Sequence, residues 1–379
     1  RKEEITLHKT PFYCYDLELL SETLDEAQTH AKKHDYHIHY AMKANTNDRI
    51  LKLIQNKGFS SDCVSGNEVK KALEIGFKPN QIAFAGVGKS DEEILIGLEN
   101  EIFTFNCESV EEIEVINELA EKQGKVARIA LRLNPNVDAK THKYITTGLE
   151  ENKFGINSWE LDNLIEKLKT WKHINLTGLH FHIGSQITSM TPFKNLCIRV
   201  NELNTWFRER GIRIEHLNLG GGLGIDYKNP KENPIPDFEL FFGVFKQFLE
   251  PRPHQEVHFE LGRSLVGNCG SLISKVLYIK KGIKTNFAIL DAGMTELIRP
   301  ALYQASHFIE NLTSDSAELE FYDVVGPICE SSDCFGKKIE LKETKRGDYI
   351  KIHSTGAYGE VMTSEYNLRE QNPVVFVKG

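Results

Sequence analysis

Short apolar runs alternate with stretches of helical spacing through the first two-thirds of the chain. Eight β-type segments stand at His37–Lys43, Phe59–Val64, Ile82–Ala85, Ile102–Asn106, Ala127–Leu133, Leu176–Ile183, His216–Leu219 and Val257–Leu261. Between them, Asn47–Asn56, Asn67–Ile75, Ser90–Leu98, Val110–Lys122, Ser158–Leu168, Phe193–Glu209 and Phe238–Leu249 space their apolar residues as one face of a helix does. Asn47, Ser90, Ser109 and Ser158 are cap-type residues at helix starts. Strand–helix alternation repeated eight times predicts a (β/α)8 barrel over residues 20–265. An open doubly wound sheet is the alternative. It is weakened because no G-x-G-x-x-G fingerprint follows the first strand.

After about Arg263 helical spacing nearly vanishes. Leu272–Ile279, Phe287–Leu290, Leu319–Val325, Lys338–Leu341, Tyr349–Ile352 and Val374–Val377 are short β-rich runs. They predict a second, β-barrel or sandwich domain over 266–379. Phe12-Tyr13-Cys14-Tyr15 is a further strand within 5–19, expected to pair with that domain. Asn134–Asn157 is a long polar connection between the fifth strand and its helix, of a length that in compact domains is often functional.

Composition narrows the function classes. The 379 residues are 40% hydrophobic and 26% charged, an ordinary globular balance. The net charge of −8 and the absence of a long basic run argue against nucleic acid as a partner. No uncharged apolar run approaches the length of a membrane span, and Arg1–Ile5 carries no apolar core of a secretory signal. Cysteines at 14, 63, 107, 197, 269, 329 and 334 are odd in number and form no C-x-x-C pair. That argues against a disulfide framework and a structural zinc site, and a reducing, cytoplasmic setting is expected. His37/His39 and His180/His182 each fall on one face of a strand. No matching carboxylate motif accompanies them, so no metal is expected.

In such a barrel, catalytic groups gather at the C-terminal strand ends. The first predicted strand ends in Lys43. A partly desolvated lysine loses its proton more easily and attacks an aldehyde. An isolated lysine there would more often be solvated, but the other strand ends alter the balance. They carry Asp62-Cys63, His182-Ile183-Gly184-Ser185, Gly220-Gly221-Gly222-Leu223-Gly224 and Glu260-Leu261-Gly262-Arg263. Backbone N–H groups of a glycine run can close on a phosphate. Gly220, Gly221 and Gly222 with Gly262 and Arg263 would form one anion pocket. A lysine facing a phosphate pocket points to pyridoxal phosphate, which needs an aldehyde partner, a phosphate cradle and a group at the pyridine nitrogen. Glu260 suits the last role, and His182 suits stacking on the ring. In the second domain, Arg299 with Tyr303, Cys329 with Glu330, and Tyr358 suit gripping and protonating an amino-acid substrate.

Tyr40-Ala41-Met42-Lys43-Ala44-Asn45, His182-Ile183-Gly184-Ser185-Gln186, Gly220-Gly221-Gly222, Glu260-Leu261-Gly262-Arg263, Leu297-Ile298-Arg299-Pro300-Ala301-Leu302-Tyr303 and Gly326-Pro327-Ile328-Cys329-Glu330-Ser331-Ser332-Asp333 together resemble the diaminopimelate decarboxylase family. These are fold-type III, alanine-racemase-like pyridoxal-phosphate enzymes. The resemblance spans nearly the whole chain. It implies a barrel plus β-domain homodimer with active sites shared between subunits. It implies that Lys43 carries the cofactor and that His182 lies against its ring. Asp62 and Glu260 would line the cofactor, and Ser185, the Gly220–Gly222 turn and Gly262-Arg263 would serve its phosphate. Cys329 would be the proton donor, supplied by the other subunit. Arg263, Arg299, Tyr303, Glu330 and Tyr358 would contact substrate, with Tyr358 also near the cofactor. Two positions depart from the family pattern: Leu261 stands where proline is usual, and Ser354-Thr355-Gly356-Ala357 replaces Gly-Ala-Gly-Ala. Neither removes a reactive side chain. The expected reaction is decarboxylation of meso-2,6-diaminopimelate to lysine. Decarboxylation of lysine, ornithine, arginine or carboxynorspermidine is the alternative. A non-catalytic regulatory homologue would be expected to lack Lys43 or Cys329, and both are present.

Overall fold

The computed structural model describes residues 2–139 and 153–377. Contacts divide the chain into two compact units. One comprises Leu24–Gly224 and Asp237–Gly262; the other comprises Arg1–Thr23, Ile225–Pro236 and Arg263–Gly379.

The first unit is a closed barrel of eight parallel strands: Tyr36–Ala41, Ser60–Cys63, Ile82–Phe84, Thr104–Cys107, Ala127–Arg132, Ile174–His180, His216–Asn218 and Glu256–Leu261. Closure comes from the first strand pairing with the last, in register from Tyr36↔Val257 to Tyr40↔Leu261. Helices follow the strands as the spacing predicts, and their starts are set by side chains. Asn47 accepts from the Arg49 N–H, Ser90 from Glu93 and Ser109 from Glu112, each satisfying a backbone donor that the helix leaves open. Ser158 is not a cap. It opens a 3-10 turn, Ser158–Glu160, that leads into the helix Leu161–Leu168.

Other boundaries also differ from the expectation. The first strand stops at Ala41, and Lys43 lies in the 3-10 turn Met42–Ala44. The sixth stops at His180, so His182 sits in the loop beyond it rather than on an inward strand position. Leu17–Lys32 is a helix that the pattern reading passed over. Its Leu20, Leu24, Ala27 and Ala31 are fully buried, at helical spacing. Most of the Asn134–Asn157 connection lies outside the described residues.

The second unit is an eight-stranded mixed sheet. Its main path runs Ile309–Asn311, Tyr349–Ile352, Gly270–Lys281, Asn286–Leu290, Leu319–Val325, Cys334–Lys342. Phe12–Asp16 joins antiparallel to Gly270–Lys281 and parallel to Val374–Val377. Ile309–Asn311 was not anticipated as a strand. Nor were the short helices Arg263–Val266 and Arg299–Tyr303.

Ile225–Pro236 interrupts the barrel sequence yet belongs to the β unit. Glu310 ties it down, accepting from Lys231 Nζ and from His353 Nε2 (2.8 Å). Burial alone would raise the Glu310 carboxyl, but these two donors outweigh it and take it down to about 2. His353 is itself lowered by burial, so it donates as a neutral ring. A carboxyl whose folded pKa is depressed contributes stability above its unfolded value and loses it as pH falls. Glu310→Gln should therefore cost on the order of 1 kcal/mol at pH 7, discounted because Lys231 is half exposed. The gap to the parent should close as pH falls from the normal carboxyl value toward 2. Urea midpoints across pH 3–7 check this.

Candidate active site

The C-terminal ends of the barrel strands carry a buried polar cluster. Glu260, on the eighth strand, is 7% exposed, and Asp62, on the second, is 5% exposed. Glu260 Oε1 lies 2.5 Å from His180 Nε2, and Oε2 accepts from Asn106 Nδ2 at 3.5 Å. Burial raises both carboxyls, Asp62 the further, and the Lys43 ammonium pulls each back. Two hydrogen-bonded carboxyls in this setting favour holding a proton between them. Lys43 itself reaches the surface, while its neighbours Met42, Ala44 and Asn45 are buried. His182 is held neutral, lowered first by burial and then by Lys43.

The glycine turn is dictated by crowding. A Cβ at Gly220 would fall 2.1 Å from Phe181 O, at Gly221 1.8 Å from Glu260 O, and at Gly222 2.7 Å from Gly184 O. Gly220 and Gly222 also have φ of +68° and +106°, where side chains are strained. The Asn218 carboxamide accepts from the Gly220 N–H at 2.9 Å, and the Gly221 N–H faces His182 Nδ1 at 3.5 Å. Ser185 is half-buried in the loop that follows Gly184. Gly262 passes close to the first strand end, its Cβ position being 3.2 Å from those of Ala41 and Ala44.

The β unit carries a separate cationic cluster. Arg263 is buried, donates to the Tyr227 hydroxyl and lies 4.9 Å from the Tyr358 ring centroid. Arg299 is buried 4.7 Å from the Tyr227 ring, and Nη1 lies 2.8 Å from His307 Nε2. Tyr303 acts electrostatically on both arginines. His307 Nδ1 faces the His353 carbonyl at 2.8 Å, so it carries the proton and Nε2 accepts from Arg299. Burial keeps that ring neutral, at about 3. No carboxylate of the described residues pairs with Arg299, and its Nε is buried without a partner.

Cys329 and Glu330 are exposed on a tight turn. The Cys329 N–H donates to Asn367 Oδ1 (3.1 Å), and Glu330 accepts from the Tyr366 hydroxyl (2.7 Å). Asp333 pins the turn, its carboxylate accepting from the Ile328 and Met294 N–H groups at 2.7 and 2.6 Å.

Residues 18–267 match the family described as pyridoxal-dependent decarboxylase, pyridoxal binding domain. A diaminopimelate decarboxylase of Bacteroides thetaiotaomicron is 56% identical over 363 residues, 96% of this chain and 94% of that one. One from Aquifex aeolicus is 39% identical, covering 100% and 89%. The chain belongs to the diaminopimelate decarboxylase family. A solved member, the Helicobacter pylori diaminopimelate decarboxylase complexed with L-lysine, superposes with a TM-score of 0.93 at 39% identity, covering 100% of this chain and 94% of that one.

Pyridoxal phosphate, the cofactor of the family, fits the barrel residues. The glycine turn leaves no room for side chains, so only backbone approaches from that side. Asp62 Oδ1 and Asn106 Oδ1 are buried acceptors without a partner. Several residues of these buried clusters escaped sequence reasoning. Tyr227 and His307 carry no motif. Asn106 and Asn218 look like ordinary strand residues. His180 stood out only as a companion of His182.

Gly221→Ala should force apart the turn and the eighth strand end. Retention of pyridoxal phosphate through dialysis should fall at least tenfold, read from the bound visible absorbance.

Proposed function

We propose that the chain decarboxylates meso-2,6-diaminopimelate to L-lysine and carbon dioxide in the cytoplasm, as a homodimer whose subunits complete each other's sites. The supporting observation is Arg299: a buried guanidinium whose hydrogen-bond partner is a neutral imidazole and whose charge meets no carboxylate among the described residues. Such a group calls for an anion. A bidentate pair with the distal carboxylate of diaminopimelate supplies it. Lysine and ornithine lack that carboxylate and would leave the charge buried, at a cost of about 3 kcal/mol or more. The binding of L-lysine by the Helicobacter pylori relative is consistent with lysine as product here.

In this reading Lys43 would hold the cofactor through its amine. Ser185 and the Gly220–Gly222 turn, with Gly262 and Arg263, would cradle the phosphate, and His182 would cover the ring. Glu260, steadied by Asp62 and His180, would share its proton with the ring nitrogen. Bound pyridoxal phosphate supplies an aldehyde for the substrate amine and a ring that withdraws the electrons left when carbon dioxide departs. Arg263, Arg299, Tyr303 and Tyr358 orient the substrate. The Cys329 thiol delivers a proton to the α-carbon, since a thiol is a competent acid near neutral pH. Glu330 meets the distal ammonium. The exposure of Cys329 and Glu330 supports their working in a partner's site.

Purified protein supplied with diaminopimelate, lysine, ornithine or arginine should release carbon dioxide from the first alone. Release from ornithine or arginine at a comparable kcat/KM would reject the substrate assignment. Lys43→Ala should abolish turnover, and Cys329→Ala should slow it by orders of magnitude with the cofactor spectrum intact. Mixed dimers of the two variants should regain activity, because one of their two sites joins an intact lysine to an intact cysteine. No recovery in verified hybrids would reject the shared site.

A further inference from the structure

The opposite, N-terminal rim of the barrel holds a second cluster that the decarboxylase reading does not use. His37 and His258 are direct partners across the seam where the first and last strands pair. Glu256 lies two residues before His258 on the same face of its strand. The His37 and His258 rings stack at 4.8 Å, with an interplanar angle of 24°. One ligand-type atom from each of His37, Glu256 and His258 lies within 4.8 Å of the others. His37 and Glu256 are exposed, while His258 is 5% exposed, so the group opens to solvent and has a buried floor.

Hydrogen bonding behind the cluster fixes which nitrogen faces it. The Ser61 carbonyl can only accept, so His39 Nδ1, 3.2 Å away, carries the proton. His39 is deeply buried, 1% exposed. Its Nε2 is therefore an acceptor, and His258 Nδ1, at 2.8 Å, must donate to it. That leaves His258 Nε2 aimed at Glu256 Oε2, 2.9 Å away. A ring nitrogen this close to a carboxylate oxygen is a favourable arrangement only with a cation or a proton between them. Ring nitrogens of metal ligands are oriented in this way, with the second N–H donated to a fixed acceptor behind.

We propose that His37, Glu256 and His258 bind a zinc-class divalent cation at the N-terminal rim of the barrel, clamping the first strand to the last. Two imidazoles and one carboxylate suit that class, with water completing the shell. Metal–ligand bonds of about 2.1 Å place tetrahedral donors about 3.4 Å apart. The His258–Glu256 separation is already near that value, and the exposed His37 ring closes the rest by rotation. Nearby charged and titratable groups are Arg128, half exposed and 4.0 Å from Glu215, and the buried His216.

The test uses holoenzyme, washed with chelator, desalted and dialysed against zinc chloride, with metal counted by mass spectrometry. The parent should bind one zinc per chain with micromolar affinity and gain in melting temperature. His37→Ala and Glu256→Gln alter exposed side chains and should retain pyridoxal phosphate and turnover. Each should bind zinc at least tenfold more weakly, and the double variant should lose the zinc-dependent thermal shift. Undiminished binding in both single variants would place the zinc elsewhere, at the cofactor or on other surface histidines, and would overturn the proposal. Fewer than about 0.1 equivalents in the parent at 100 µM zinc would overturn it equally.

Discussion

The seam between Tyr36–Ala41 and Glu256–Leu261 is the constraint on which the rest depends. Until those strands pair, the chain has two exposed sheet edges and no mouth. Their register runs from Tyr36↔Val257 to Tyr40↔Leu261 and is carried by parallel backbone hydrogen bonds. A slip of one residue would turn Glu256, His258 and Glu260 outward and put their apolar neighbours inside. The same pairing sets His39 opposite Glu260 and brings the Lys43 turn beside the Gly262 bend. Because the contact joins the barrel's first strand to its last, it is the least local of the barrel's strand pairings and costs the most loop entropy among them.

A barrel of this type usually fills its interior with branched apolar residues. Here one face of the last strand is polar throughout, with Glu256, His258 and Glu260 in succession. Burying such groups is unfavourable unless each finds partners. They do: Glu260 has His180 and Asn106, and His258 has His39 and Glu256. The upper part of this stripe tunes proton positions where chemistry is expected. The lower part has no such duty and is the more telling for that reason.

Much of the architecture was legible from periodicity, because eight buried strands in a parallel barrel appear as apolar runs separated by helical faces. The reading failed where local signals conflict with tertiary context. Leu17–Lys32 carries a regular apolar stripe but sits beside a strand of tyrosines, and its polar majority concealed it. Ile225–Pro236 follows the glycine turn and gives no sign that its contacts lie with the β unit. Candidate site residues carried by motifs were nominated from the sequence: Lys43, the glycine turn, Glu260, Arg299 and Cys329. Tyr227 and His307 were not, since a tyrosine and a histidine acquire meaning there only by facing buried arginines. The rim cluster was illegible for a related reason. The carboxylate that His37 lacked locally comes from the far end of the barrel sequence.

The Asp333 carboxylate bears on what any contact made at the Cys329 turn costs in lost freedom. Its two backbone acceptor bonds, and the closeness that only Gly293 and Gly326 allow beside it, freeze the Cys329 turn in the isolated chain. A surface loop that orders only on contact subtracts its lost freedom from the affinity of the complex. This turn has already been ordered by intramolecular bonds during folding. Under the homodimer proposed above, encounter would then resemble the docking of rigid bodies, with little rearrangement to slow it.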